Sequence, residues 1–170
     1  MMKDKIMKTL NVSFLAGALT LLSACASNTP PVTLQPVGPA PRMEEVNTST
    51  EGYLVVYSAW ALYDEFDNKV LVDHHGKYSL TSDDGKVNKQ IVNHLDRFDE
   101  GPIRVTLPPG SYKINARSAH SGRVIVPVVV QSRHTTYVYL DGQPHPKTLA
   151  DSASTMVKLP DGQIVGWAAK

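Results

Sequence analysis

Six histidines, His74, His75, His94, His120, His134 and His145, are the residues of this chain whose type most readily does chemistry. Imidazole is a common zinc ligand, and a closed zinc site gathers about four ligands around the metal. The sequence holds no His-x-His and no His-Glu-x-x-His. Adjacent His74 and His75 on an extended chain project to opposite faces. The histidines therefore read as solvated turn residues, and a metal-assisted hydrolase is the alternative from another class. Two acidic groups, Asp64/Glu65/Asp67 and Asp96/Asp99/Glu100, carry the oxygens that calcium takes, but neither follows the spacing of an EF-hand loop. They read as charged loops. No Gly-x-Ser-x-Gly is present, and Gly110-Ser111 lies inside a turn that explains it without catalysis. No phosphate-cradling glycine loop occurs either. The residues thus predict no catalytic group, no metal site and no cofactor. Tyr137, Tyr139 and Trp167 form a candidate binding surface, because tyrosine and tryptophan join a large apolar body to a polar tip. The other reading, that a second sheet or the tail covers them as core, stays open.

The lone cysteine, Cys25, cannot make an internal disulfide. Before it, Lys3, Lys5 and Lys8 form a basic segment and Leu10 to Leu22 an apolar run. That run is shorter than the roughly 20 apolar residues a transmembrane helix needs, and it suits a secretory leader. Met1, Met2 and Met7 each offer a start. The run ends in Leu22-Ser23-Ala24-Cys25, which resembles the lipobox of bacterial lipoproteins. The resemblance implies that residues 1–24 are a signal peptide and that Cys25 becomes an acylated N-terminus held in the membrane. Several acyl chains anchor stably where a single one does not. Ala26 stands where an aspartate resembles an inner-membrane retention signal, so the resemblance implies the outer membrane, periplasm-facing.

The elements that must position any site follow. Asn28 to Ser49 carries Pro30, Pro31, Pro36, Pro39 and Pro41, so residues 25–50 read as a lipidated start and a semi-rigid, proline-rich spacer. From residue 51 to 142 short apolar runs alternate with turn residues. Tyr53 to Trp60 is apolar on both faces, with Leu54, Val56 and Trp60 sharing one. Tyr112, Ile114 and Ala116 alternate with Lys113, Asn115 and Arg117. Val124, Val126, Val128 and Val130 share one face, as do Thr136, Val138 and Leu140. Such period-two patterns are half-buried strands. Pro127 inside the valine run points to an edge strand or a bulge. Residues 143–170 read as a loop followed by a hairpin, Met156 to Trp167, turning at Leu159-Pro160-Asp161-Gly162. About seven to nine short strands and no helix beyond the leader predict an all-β, antiparallel β-sandwich.

The run Leu107-Pro108-Pro109-Gly110-Ser111-Tyr112-Lys113-Ile114-Asn115-Ala116, with Thr136-Tyr137-Val138-Tyr139-Leu140 after a valine strand, resembles prealbumin-like modules of the carboxypeptidase regulatory-like and PEGA type. This covers about a third of the chain and implies a prealbumin-like sandwich serving as a cell-surface or periplasmic scaffold. The enzymatic branch of that fold, transthyretin-like hydrolases, ends in Tyr-Arg-Gly-Ser, whereas this chain ends in Gly-Trp-Ala-Ala-Lys. Without the three lysines and one aspartate of 1–24, 14 basic residues face 15 acidic ones. That balance lacks the basic footprint of a nucleic-acid binder. The sequence is read as a non-enzymatic envelope lipoprotein, a binding or structural module. Its partners are the membrane, through the lipid on Cys25, and an envelope protein or glycan. Glycan or peptidoglycan recognition is the alternative binding function.

Overall fold

The alternation in residues 110–130 builds the centre of the molecule. A computed structural model describes residues 32–41, 50–64, 71–94, 101–145 and 156–170. Residues 1–31 with Cys25, residues Glu65, Asp67, Asp96, Asp99 and Glu100, and residues 146–155 lie outside the described residues. Strands β9 (Gly110–Ser118) and β10 (Gly122–Val130) form an antiparallel hairpin, with Gly122 at φ +68° in its turn. Every second residue points inward: Tyr112, Ile114 and Ala116 on β9, and Val124, Val126, Val128 and Val130 on β10.

Among the described residues the fold is all-β, with thirteen strands. The larger sheet runs β12 (Met156–Lys158), β13 (Ile164–Ala168), β2 (Val37–Gly38), β10, β9, β6 (Tyr78–Ser82), β7 (Asn88–Ile91), and β1 (Val32–Thr33) also pairs with β10. A second sheet runs β11 (Thr135–Tyr139), β3 (Gly52–Tyr57), β8 (Arg104–Leu107). Strands β4 (Trp60–Asp64) and β5 (Leu71–His75) form a separate ribbon. The pairing is mixed: β1 and β2 run parallel to β10, and β11 runs parallel to β3. This corrects the all-antiparallel expectation. Period-two alternation says which side chains face inward, but it is blind to the direction of the neighbouring strand.

The two sheets share one core. Leu54, Val56, Leu107, Val138 and Leu140 from the smaller sheet meet Leu80, Ile114, Val124 and Val126 from the larger. The chain passes between sheets at two corners. At Pro108-Pro109 it leaves β8 for β9, and the Tyr112 hydroxyl donates back to the Pro108 carbonyl at 2.7 Å. After β10 it turns at Arg133, in the left-handed region (φ 63°), into β11. Gly52 lies beneath this second corner, where an added Cβ would fall 2.2 Å from the Gln131 carbonyl oxygen.

Two expectations about strand edges change. Pro127 does not mark an edge, since β10 is flanked on both sides. The Ile125 carbonyl accepts from Leu34 N–H, so residues 125, 127 and 129 turn their polar groups toward β1 and β2. The missing N–H of Pro127 therefore falls where that pairing is interrupted between Thr33 and Val37. The spacer reading also fails over 32–41. Val37 (0% exposed) sits in a strand between β10 and β13, and Ala40 is buried. Prolines flank these two-residue strands without occupying them, so composition hides them.

The tail forms the hairpin read from its turn residues, with Gly162 at φ +87° and the Gly162 N–H on the Leu159 carbonyl. It docks within the molecule, Trp167 pairing with Gly38 and Ala168 with Val37.

Candidate functional site

The interruption at Ser58-Ala59 decides where Trp60 goes. Taken as one strand, Tyr53 to Trp60 would place Trp60 inside with Leu54 and Val56. Instead the chain breaks after Tyr57, and a set of hydrogen bonds holds the corner. The Ser58 hydroxyl donates to the Gly76 carbonyl, Gly76 N–H to the Ala59 carbonyl, and the Asn93 amide to Val56 O and Ser58 Oγ. Ala59 N–H donates to the Arg117 carbonyl at 2.9 Å, which ties the start of β4 to β9. The result is a tryptophan 40% exposed in a molecule whose other large side chains are mostly buried.

His75 lies directly across the ribbon from Trp60, and the two rings stack with centroids 4.4 Å apart. The imidazole is itself fixed. His75 is 3% exposed, its Nδ1–H donates to the Ser58 carbonyl at 2.7 Å, and its ring meets Tyr57 edge-on. With one face backed by His75, the indole presents the other outward.

Trp60 stands at a cleft of about 540 Å³ formed with the outer face of the large sheet. Across that face run Gln90, Ser79, Asn115 and Ile125, paired in register from β7 to β10. One step along the hairpin, Arg117 and Arg123 pair directly opposite each other. Both are exposed, and alternation with buried Ala116 and Val124 puts them on this same face. Lys77 adds a third cation, and among the described residues no carboxylate lines the cleft. The Asn115 Oδ1 is buried and meets no donor among the described residues. Stacking surface, amides and cations thus line one concave surface.

A second cavity, about 490 Å³, lies between the 82–87 turn and the Pro108-Pro109 corner. Its polar groups satisfy one another. Hydrogen bonds from Ser82 and Lys86 hold the Asp84 carboxyl well below its ordinary range, and Lys113 pairs with Asp83. It leaves little for a ligand to recognise.

Tyr137, Tyr139 and Trp167 are brought together, but beneath a cover. Tyr139 and Trp167 are 5% and 7% exposed, and with Ala40 they centre a second apolar cluster against which Tyr57, Tyr137 and Met156 pack. Tyr139 lies between His145 (centroids 4.1 Å) and Trp167 (6.3 Å). His145 is held by its Nε2–H to the buried Asp141 carboxylate at 2.7 Å. Burial raises the Tyr139 phenol well above its ordinary value, with Tyr57, Tyr137 and Asp141 adding to the shift. Burial likewise raises that of Tyr57, again with Tyr137 and Asp141 contributing.

The histidines depart from the reading as solvated turn residues. His74 and His75 are buried in β5 on opposite faces, and His74 stacks on His94 with centroids 4.3 Å apart. His145 is largely covered. His120 lies in a turn, and His134 closes the corner before β11, its N–H on the Gln131 carbonyl. Among the described residues no group of three or more His, Cys, Asp or Glu is placed to hold a metal, and no helix is long and apolar enough to cross a membrane. No family model, curated protein or solved structure matches the chain.

Sequence reasoning missed the cleft. The available signal was Ser58-Ala59, a small polar break in an otherwise apolar strand. Beyond it, Arg117 and Arg123 stand symmetrically about His120, the centre of the hairpin turn.

Proposed function

We propose that this chain is a lipid-anchored protein of the bacterial cell envelope whose prealbumin-like β-sandwich binds a saccharide in the Trp60 cleft without transforming it. The anchor is Cys25, supported by the basic segment, apolar run and Leu22-Ser23-Ala24-Cys25 before it. Ala26 favours the outer membrane, with the domain facing the periplasm. The sandwich reading draws support from two sheets that share a core and from the Pro108-Pro109-Gly110 corner that carries the chain between them.

The observation that carries the binding function is Trp60, backed by a buried imidazole and turned outward beside Asn115, Gln90 and Ser79. The apolar face of a pyranose stacks on an indole, and its hydroxyls exchange hydrogen bonds with amide and hydroxyl groups. This shifts the candidate binding surface from Tyr137, Tyr139 and Trp167, which pack as core, to the other tryptophan.

Two experiments test the reading. Cys25→Ala is expected to abolish incorporation of a palmitate analogue and move the protein out of the membrane fraction. Wild-type protein found soluble and unacylated would contradict the anchor. In the second, the domain is titrated with soluble oligosaccharides released from purified cell wall. Wild type is expected to bind and Trp60→Ala to lose at least tenfold in affinity while still unfolding cooperatively. Equal binding by the two proteins would remove the cleft from consideration.

A further inference from the structure

The two arginines opposite each other have no evident structural purpose. Like charges directly across an antiparallel pair destabilise it, and Arg117 and Arg123 occupy such a pair. Neither guanidinium has a carboxylate partner among the described residues. Among the described residues the lining holds no acid. Two other surface lysines are neutralised: Lys86 pairs with Asp84 at 2.9 Å and Lys113 with Asp83 at 3.1 Å. Arg117 and Arg123 therefore set two positive charges side by side at one end of the cleft, without a carboxylate among the described residues.

Resting on the saccharide reading above, we propose that the ligand is an acidic saccharide whose oxyanion is held jointly by Arg117 and Arg123 while its ring stacks on Trp60. A guanidinium presents a rigid fork of donors that matches the two oxygens of a carboxylate or phosphate. Two forks side by side can take one oxyanion between them, and its charge relieves their mutual repulsion. Asn115 and Gln90 line the same cleft. The backbone bond from Ala59 N–H to the Arg117 carbonyl keeps the stacking residue and the anion site in fixed relation. Carboxylated and phosphorylated sugars share this chemistry, and the experiment separates them.

The full folded domain is titrated with three probes: trigalacturonate, glucose 6-phosphate and a neutral trisaccharide, tri-N-acetylglucosamine. At least one acidic probe is expected to bind ten times or more tightly than the neutral one, and the stronger of the two identifies the oxyanion. Its affinity should fall at least tenfold in Arg117→Gln and in Arg123→Gln, and less in Arg117→Lys, which keeps the charge but loses the fork. Raising the salt should weaken it, since the contact is ionic and the arginines are exposed. Binding of the neutral probe should survive both glutamine variants and fail in Trp60→Ala. If acidic and neutral probes bind equally and the glutamine variants change nothing, the oxyanion inference fails while the saccharide reading stands. If none of the three binds, both fail.

Discussion

The two tryptophans of the chain occupy opposite situations. Trp167 lies in the last strand, 7% exposed, in an aromatic cluster with Tyr139 and Ala40. Trp60 opens a ribbon, 40% exposed, with one face against a buried imidazole and the other toward a cationic cleft. Both have aromatic neighbours, and both sit on strands. What separates them is the element laid across them. The tail crosses the outer face of β11 so closely that a Cβ on Gly166 would stand 2.7 Å from the Tyr137 carbonyl oxygen. Among the described residues, none is placed across Trp60 in that way. Aromatic content alone therefore cannot identify a binding face, because the covering element decides it.

The sharpest way to break this comparison is to remove the cover. Truncation after Ala150 deletes β12 and β13, and with them the buried Val157, Leu159, Val165 and Trp167. It should abolish cooperative unfolding in urea. A truncated chain with an unchanged transition would mean that the tail is an accessory. The single replacement Trp167→Ala should cost roughly 3–5 kcal/mol, as for a large aromatic leaving a core. Trp60→Ala, at a 40% exposed site, should lose only its stack on His75, about 0.5–1.5 kcal/mol. Urea midpoints for the two variants measure the contrast directly, and equal losses would contradict it.

A third prediction uses alkali. The Tyr78 hydroxyl is buried without a hydrogen-bond partner among the described residues, and burial raises its pKa far above the ordinary 10.0. An unfolded tyrosine ionises near pH 10 while the folded one stays protonated. Stability is therefore full below about pH 10 and falls as pH rises from there toward the folded value. Tyr78 alone removes up to about 1.4 kcal/mol per pH unit in that window. Tyr78→Phe should unfold at nearly the wild-type urea concentration at pH 8 and resist better at pH 11. No difference between the two proteins at pH 11 would contradict the assignment. The smallest effect belongs to the cleft. Arg123→Gln removes one member of a like-charged cross-strand pair and should stabilise the free protein by about 0.2–1 kcal/mol. A destabilised variant would show that the pair supports the fold instead of opposing it.

Much of the architecture was legible, and the parts that were not share a cause. The hairpin β9–β10, the tail turn at Asp161-Gly162 and the buried faces of β3 and β11 follow from alternation and from turn residues, both local signals. Strand β2 escaped because two residues between prolines carry no period. The parallel pairings of β1, β2 and β11 escaped because neighbour direction is a property of the whole chain. The histidines misled for a related reason. His74-His75-Gly76 has the composition of a turn, yet stacking on Trp60 and His94 and the bond to Ser58 hold the two side chains inside. The candidate site failed at one residue. Trp60 follows the apolar period of Leu54 and Val56, and only the break at Ser58 turns it outward. Arg117 and Arg123 become a pair once the hairpin register is known, so that half of the site lay within reach of the turn assignment.

Fluorescence from single-tryptophan proteins tests the account most directly, because each tryptophan reports one of the two regions. In Trp167→Phe, which retains Trp60, emission should be red-shifted. Iodide should quench it more strongly than a neutral quencher does, owing to Arg117, Arg123 and Lys77, and the bound acidic saccharide should change it. In Trp60→Phe, which retains Trp167, emission should be blue-shifted, poorly quenched and indifferent to the saccharide. A saccharide response from Trp167, or none from Trp60, would contradict the assignment of the cleft as the binding site and the tail cluster as core.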